Sequence, residues 1–307
     1  MKTEQNNTTA RKMSESELSE KLGRLQKKQD FWSLMLVVGI VAAIAVGIIV
    51  RSFVWGGVVF FAFAAVAVLL GGGAQKRKKA LIAQELGGDF GTELERFFGA
   101  DPHDPALAVT ADALRELRLI APCWEECTIE DTHGGSYQGV SFAAGNAVLC
   151  HSYEEKVGQD WMTQTTTVFR GLVLRCRTVD SPHETVWVYR RAEKEQGGIL
   201  TENARFNERF FITADRENDA FLLLTPQFME TLEELERRTR GELSGLCWQG
   251  NTLSLALTTP YCFAQTSEGV NARDISALRR SFTDTLTGMT QILGILFRNT
   301  ALFNAQQ

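Results

Sequence analysis

Residues 31–50 are twenty consecutive residues without a charge, and residues 52–75 form a second uncharged stretch, with Arg51 alone between them. An α-helix rises about 1.5 Å per residue, so twenty residues reach about 30 Å, the thickness of a bilayer's hydrocarbon core. The two stretches together are about twice as long as one crossing needs. They predict a two-span transmembrane hairpin that turns at Arg51 and Ser52. Trp32 and Trp55 fall near opposite ends of the first span and its turn, where aromatic rings favour the membrane–water interfaces.

The flanking charges predict an orientation. Lys21, Arg24, Lys27 and Lys28 precede the first span, and Lys76, Arg77, Lys78 and Lys79 follow the second. Positive flanks stay on the inner side, so both termini are expected to be cytoplasmic. Trp32, Arg51, Trp55, Lys76, Arg77, Lys78 and Lys79 are then the membrane-anchoring residues, and the lipid bilayer is the first partner. The apolar run begins too late and is too long for a secretory signal peptide.

The net charge of -5 averages two unlike halves. Residues 1–79 hold 12 Lys and Arg against 5 Asp and Glu, whereas residues 80–307 hold 20 against 32. An acidic body repels phosphate backbones, so nucleic acid is not an expected partner. Six cysteines in 307 residues do not make a disulfide scaffold. With 9% aromatic residues the chain is not disordered as a whole.

Hydrophobic spacing divides the chain into a polar tail with a short amphipathic helix (1–30), the transmembrane hairpin (31–75), a basic juxtamembrane segment with helices (76–122), and an α+β domain (123–307). Ser14 and Glu17 have capping-box spacing. Gly87 and Gly88 are expected to bend or interrupt the helix that Leu81, Leu86, Phe90 and Phe98 outline. Strands are expected over 136–143 and 147–153, with Gly145 and Asn146 as a hairpin turn. A strand over 163–177 contains Gly171, which signals a bulge or the close approach of another backbone. A second hairpin-like pair is expected over 206–214 and 220–224. Thr225 and Pro226 start a helix, strands follow over 243–248 and 252–258, and apolar residues from Ile275 to Leu296 mark a long C-terminal helix. The fold class is therefore a two-span transmembrane α-hairpin followed by an α+β domain with mainly antiparallel strands.

Three segments carry a resemblance: Val168, Phe169, Arg170 and Gly171; then Phe206, Asn207, Glu208, Arg209 and Phe210; then residues 222–229, from Leu222 to Met229. With two adjacent spans ahead of them, they make the chain similar to the bacterial "domain of unknown function 3137" family across most of residues 30–300. The resemblance implies a protein of the bacterial inner (plasma) membrane with a cytoplasmic body. It implies no catalytic residue.

Candidate chemistry is sparse. Cys123, Cys127 and His133 are potential zinc ligands, but a structural site needs four, and a fourth would have to come from Cys150 or His151. Reduced, partly buried cysteines are the simpler reading. Cys150 and His151 look like a nucleophile beside its base, yet neighbours on a strand face opposite ways. His103 and Asp104 lie between prolines and read as a loop. Glu130, Asp131 and His133 have acid–base chemistry, but the adjacent Gly134 and Gly135 point to a tight turn. Trp124, Trp161, Trp187 and Trp248 read as core. No phosphate loop, dinucleotide fingerprint or nucleophile elbow is present, so no cofactor is implied and the balance is against an enzyme. The leading expectation is a protein-interaction or scaffold module with a membrane or cytoplasmic protein partner. The alternatives are an enzyme or ligand sensor with a site near residues 131–137, and a lipid-contacting domain.

Overall fold

The computed structural model describes residues 13–49, 53–120, 124–157, 160–191, 197–266 and 270–303. In chain order the elements are α1 (Glu15–Ile49), α2 (Phe53–Phe98), a 3-10 turn (Pro105–Leu107), α3 (Ala111–Glu116), β1 (Glu126–Tyr137), β2 (Val140–Val157), β3 (Asp160–Arg177), β4 (Val186–Arg190), α4 (Ala204–Arg209), β5 (Phe210–Ala214), α5 (Glu217–Leu223), α6 (Pro226–Thr239), β6 (Glu242–Gln249), β7 (Thr252–Thr258), α7 (Ile275–Leu296) and α8 (Thr300–Phe303). They group into two compact units, residues 1–92 with 268–280 and residues 93–267 with 281–307.

In the first unit, Leu18 and Leu22 of α1 are buried with Leu86 of α2 and with Ala272, Ile275 and Leu278. Polar contacts fasten the same three segments. Ser19 Oγ donates to the Arg273 carbonyl at 2.6 Å, and the Ala272 N–H donates to Gln26 Oε1 at 2.8 Å. Arg279 reaches Glu15 at 2.7 Å and Asp89 at 3.0 Å. The capping box forms: the Ser14 N–H donates to Glu17 Oε2, and the Glu17 N–H donates to Ser14 Oγ.

The membrane hairpin is corrected. Among the described residues, no helix is long and apolar enough to cross a membrane. The uncharged stretches do not stand as separate elements: α1 begins at Glu15 among charged residues, and α2 runs on through Lys79 to Phe98. The two-span, inner-membrane localisation with both termini cytoplasmic is corrected on the same ground. Of the expected anchoring residues, Arg51 lies outside the described residues, as do the side chains of Trp32, Trp55 and Lys76, while Arg77 and Lys79 are exposed and Lys78 is half-buried. The expected tail 1–12 and Cys123 also lie outside them. Nor do Gly87 and Gly88 break α2, which is continuous through both.

The second unit is built on a seven-stranded sheet of order β1-β2-β3-β7-β6-β4-β5, with every neighbouring pair antiparallel. β7, in the middle, is buried over almost its whole length. On one face Ala147, Leu149, Phe169, Val173 and Ala256 pack with Leu114, Leu117, Leu119 and Trp124 from α3 and the chain around it. On the other, Leu253, Leu255 and Leu257 are buried, and Phe142 meets Phe98 edge-on at 5.2 Å. Beyond β7 the chain crosses to β2, where the Phe263 N–H donates to Asn146 Oδ1 at 2.8 Å and Asn146 Nδ2 donates to the Phe263 carbonyl at 2.7 Å. Thr225 Oγ1 caps α6 by accepting from the Phe228 N–H, with Pro226 in the first turn.

Two local expectations fail for identifiable reasons. Gly145 and Asn146 are not a turn: β2 runs straight through them. Thr132, Ile129 and Val109 pack where a Gly145 Cβ would sit, and Asn146 spends its amide on Phe263. The β1–β2 turn is instead at Gln138 and Gly139, both left-handed at φ 50° and 79°, as a tight hairpin requires. The pair expected over 206–214 and 220–224 is mostly helical: Asn203 Oδ1 caps α4 by accepting from the Phe206 N–H, and only 210–214 is a strand.

Candidate functional site

Two features of the second unit have the makings of a site, and β2 contributes to both. The first is a projecting arm. β1 ceases to pair with β2 at Glu126 opposite Cys150, and β7 ceases to pair with β3 at Thr258 opposite Gly171. Beyond those points β2 and β3 continue alone as a two-stranded ribbon, from His151 opposite Thr166 to Val157 opposite Asp160. At about 3.4 Å per residue the ribbon is about 24 Å long.

β-branched Thr163, Thr165, Thr166 and Thr167 suit a pleated ribbon, and Ser152 Oγ lies 3.0 Å from Thr165 Oγ1 across it. Its root is tied down on the β2 side. Glu125 accepts the Ser152 N–H at 2.9 Å and lies 2.9 Å from His151 Nδ1, and the His151 ring stacks on Tyr153. The Glu125 carboxyl is held below its ordinary value by the Ser152 N–H first and His151 next, which together outweigh desolvation. Further out, Trp161 is 67% exposed, Met162 51% and Tyr153 44%. The expectation that Trp161 belongs to the core is thus corrected; Trp248 and Trp124 are the buried ones. The arm carries Glu154, Glu155 and Asp160 against Lys156, so it is acidic.

The second feature is a cleft of about 280 Å³ between the 101–109 loop and the β1–β2 hairpin, lined among others by Asp101, His103, Asp104, Thr132 and His133. Asp101 organises it: Oδ1 accepts the His103 N–H at 2.8 Å and Oδ2 the Gly134 N–H at 3.2 Å. A side chain at 134 would overlap the Asp101 carboxylate, and one at 135 would press on the Phe98 backbone; this packing is what the Gly134–Gly135 pair serves. Burial works to raise the Asp101 pKa, but the two N–H groups and the neighbouring histidines outweigh it and hold it below its ordinary value. Asp104 behaves alike: burial raises its pKa, while Arg177 at 2.6 Å and the Ala106 N–H lower it further. Burial pushes the His133 ring below its ordinary value despite Asp101 and Glu95, and its Nε2 is buried without a hydrogen-bond partner.

These shifts predict a pH dependence. Carboxyls with depressed folded-state pKa values contribute stability that is present above the ordinary aspartate range and lost as pH falls through the folded values. Asp101→Asn is therefore expected to cost about 1 kcal/mol at neutral pH, with the gap from wild type closing as the pH falls below about 4. Urea unfolding across that range checks it; a gap that does not change with pH contradicts it.

The zinc candidates are not brought together. Asp131, at φ 51°, marks a bulge where the β1–β2 register shifts between Glu130 and His133. Residues six apart share a face of a regular strand, but the extra residue undoes this. Cys127 pairs with Leu149 and His133 with Ala144, five residues apart on β2, so the two side chains leave opposite faces. Cys127 packs against the core, where burial pushes its thiol up. Among the described residues no group of three or more His, Cys, Asp or Glu is placed to hold a metal ion.

The resemblance segments have structural work. Glu236 of α6, buried, accepts the Leu243 N–H at 2.8 Å and pairs with Arg190 and Arg209. Arg191 donates to the Asn207 and Phe210 carbonyls, and Asn207 Oδ1 accepts from both the N–H and the hydroxyl of Thr201. Sequence reasoning missed Trp161 and Met162 as surface residues. The available signal was their polar setting, between Asp160 and a run of threonines.

Fold and site together define an antiparallel α+β body with a projecting two-stranded arm. Residues 167–297 of this chain match the family described as "Protein of unknown function (DUF3137)", which supports the resemblance over that range. The cleft and the arm precede the matched range. Among solved structures the chain is similar to the crystal structure of the mycobacterial trehalose monomycolate transport factor A, TtfA, at 8% identity and a TM-score of 0.27, over 67% of this chain and 96% of that one. A score of that size does not establish a common fold. No curated protein matches the chain.

Proposed function

We propose that the body is a protein-interaction module and that the β2–β3 arm is its contact element. The observation that supports this most is the exposure of Trp161, Met162 and Tyr153 on a ribbon free of the sheet. Isolated two-stranded ribbons are marginal in water, and large exposed apolar side chains carried on one gain most from a partner that covers them. The acidic side chains around them favour a protein partner over an anionic lipid surface.

The test is affinity purification of the tagged full chain from the cells that express it, as wild type and as Trp161→Ala with Met162→Ala. The variant is expected to bind its partner more weakly by about 2 kcal/mol, with unchanged thermal stability because neither side chain is in the core. A partner set that survives the double substitution would remove the arm from the interface.

A second reading is a small-ligand site in the Asp101–His133 cleft, favoured by the unpartnered His133 Nε2. Isothermal titration with candidate polar metabolites tests it, and His133→Gln would abolish any heat it produces.

A further inference from the structure

We infer that the second unit carries a binding site for a compact, multiply charged anion that bears phosphate groups, in an arginine-lined cleft between α4 and the end of α6. The cleft has a volume of about 370 Å³ and is open to solvent; Arg205 and Arg209 of α4 line it, as do Arg237 of α6 and Arg240, which caps that helix. Its carboxylates are already taken. Glu236 pairs with Arg190 and Arg209, Glu233 with Arg209 at 3.7 Å, and Glu242 with Arg190 at 3.5 Å. Two arginines thus account for every carboxylate that lines the cleft. Arg205, Arg237 and Arg240 are exposed and have no acidic partner among the described residues.

Local structure asks for an arginine at only one of these three positions. Arg237 lies in the last turn of α6, where a cation suits the helix dipole. Arg205 lies in the first turn of α4, the end at which a helix disfavours a cation. Arg240 takes the left-handed C-cap position, φ 51° and ψ 36°, where glycine is the unstrained residue. Guanidinium groups are forked donors that match carboxylate and phosphate oxygens. A carboxylate offers its two oxygens in one plane, whereas a phosphate group presents three acceptor oxygens and takes donors from several sides, as the two helices supply them here. The ligand is compact because the rest of the body is acidic, with 20 Lys and Arg against 32 Asp and Glu over residues 80–307, and repels a long polyanion such as nucleic acid. A free polyphosphate and a phospholipid headgroup both offer this chemistry.

The test is isothermal titration of the purified full chain with tripolyphosphate and with citrate, beside flotation with phosphatidylcholine vesicles that contain phosphatidic acid. Wild type is expected to bind tripolyphosphate more tightly than citrate, and less tightly as salt rises. Arg205→Gln and Arg240→Gly are each expected to weaken binding about tenfold. Both remove a local cost, so thermal unfolding is expected at or above the wild-type temperature. Arg238→Gln is the control: it removes the same charge from a residue that bonds Gln291 and does not line the cleft, and its affinity is expected to match wild type. Flotation of wild type but not of Arg240→Gly assigns the phosphate to a lipid headgroup; tripolyphosphate binding without flotation assigns it to a soluble ligand. Binding of neither probe, citrate bound as tightly as tripolyphosphate, or an equal loss in Arg238→Gln overturns the site. The site shares no residue with the arm, so either outcome leaves the reading of the arm as a contact element untouched.

Discussion

Gly171→Ala is expected to lower the unfolding free energy by about 3 kcal/mol. Gly171 stands opposite Thr258, at the last pair of the β3–β7 ladder. A Cβ there would overlap the Leu257 carbonyl oxygen and crowd the Thr258 Cα, and both obstacles are backbone. A flexible side chain could swing away; a ladder residue cannot move without opening its hydrogen bonds. Leu172 and Val173 on one side and Leu257 on the other are fully buried, so the strain has nowhere to relax. Gly91 supplies the control. It lies inside α2 with nothing near its would-be Cβ, so Gly91→Ala should be neutral or stabilise by up to about 1 kcal/mol. Urea denaturation of the two variants decides the matter. Equal, small effects would mean that the β3–β7 approach is looser than described.

Glu236→Ala is expected to cost about 3 kcal/mol. The carboxylate is 9% exposed and receives donors from three directions: the Leu243 N–H of β6, Arg190 of β4 and Arg209 at the end of α4. Removing it strands a buried backbone N–H and takes from each guanidinium group its more buried carboxylate, leaving Arg190 with Glu242 and Arg209 with Glu233. Both arginines are partly exposed and can turn to water, so the loss falls at the lower end of what a broken buried pair costs. Glu236→Gln keeps an acceptor for Leu243 and should recover about 1 kcal/mol of the loss. A Glu236→Ala variant within about 0.5 kcal/mol of wild type, the spread of neutral surface changes, would contradict the network.

Part of this architecture could be read from residues alone. Gly171 signals a bulge or the close approach of another backbone, and the Leu257 carbonyl shows the close approach. Thr225 with Pro226 announced α6, and Ser14 with Glu17 announced the start of α1. Where local signals were ambiguous, tertiary structure decided. Gly145 and Asn146 form a favoured hairpin dipeptide, yet one is needed for packing and the other for a bond to Phe263, 117 residues away. The Cys127–His133 spacing was undone by a single bulge at Asp131, which pattern reading does not detect. A count of uncharged residues alone gives the stretches 31–50 and 52–75 the length of spans, yet among the described residues no helix is long and apolar enough to cross a membrane.

The candidate site was the least legible part. Trp161 looks like a core residue in composition, and only the pairing limits of β1 and β7 show that it lies on a ribbon beyond the sheet. The cleft likewise depends on the 101–109 loop returning to Gly134, which no local signal foretells.

The most direct measurement is hydrogen exchange of the β3 amides over residues 161–168 in the assembled protein and after dissociation. Engagement of the arm predicts that these amides exchange slowly in the assembly and rapidly once it is diluted apart or carries the Trp161 and Met162 substitutions, while the amides of β7 stay protected in both. Exchange over 161–168 that is identical in the two states would contradict the arm as the contact element.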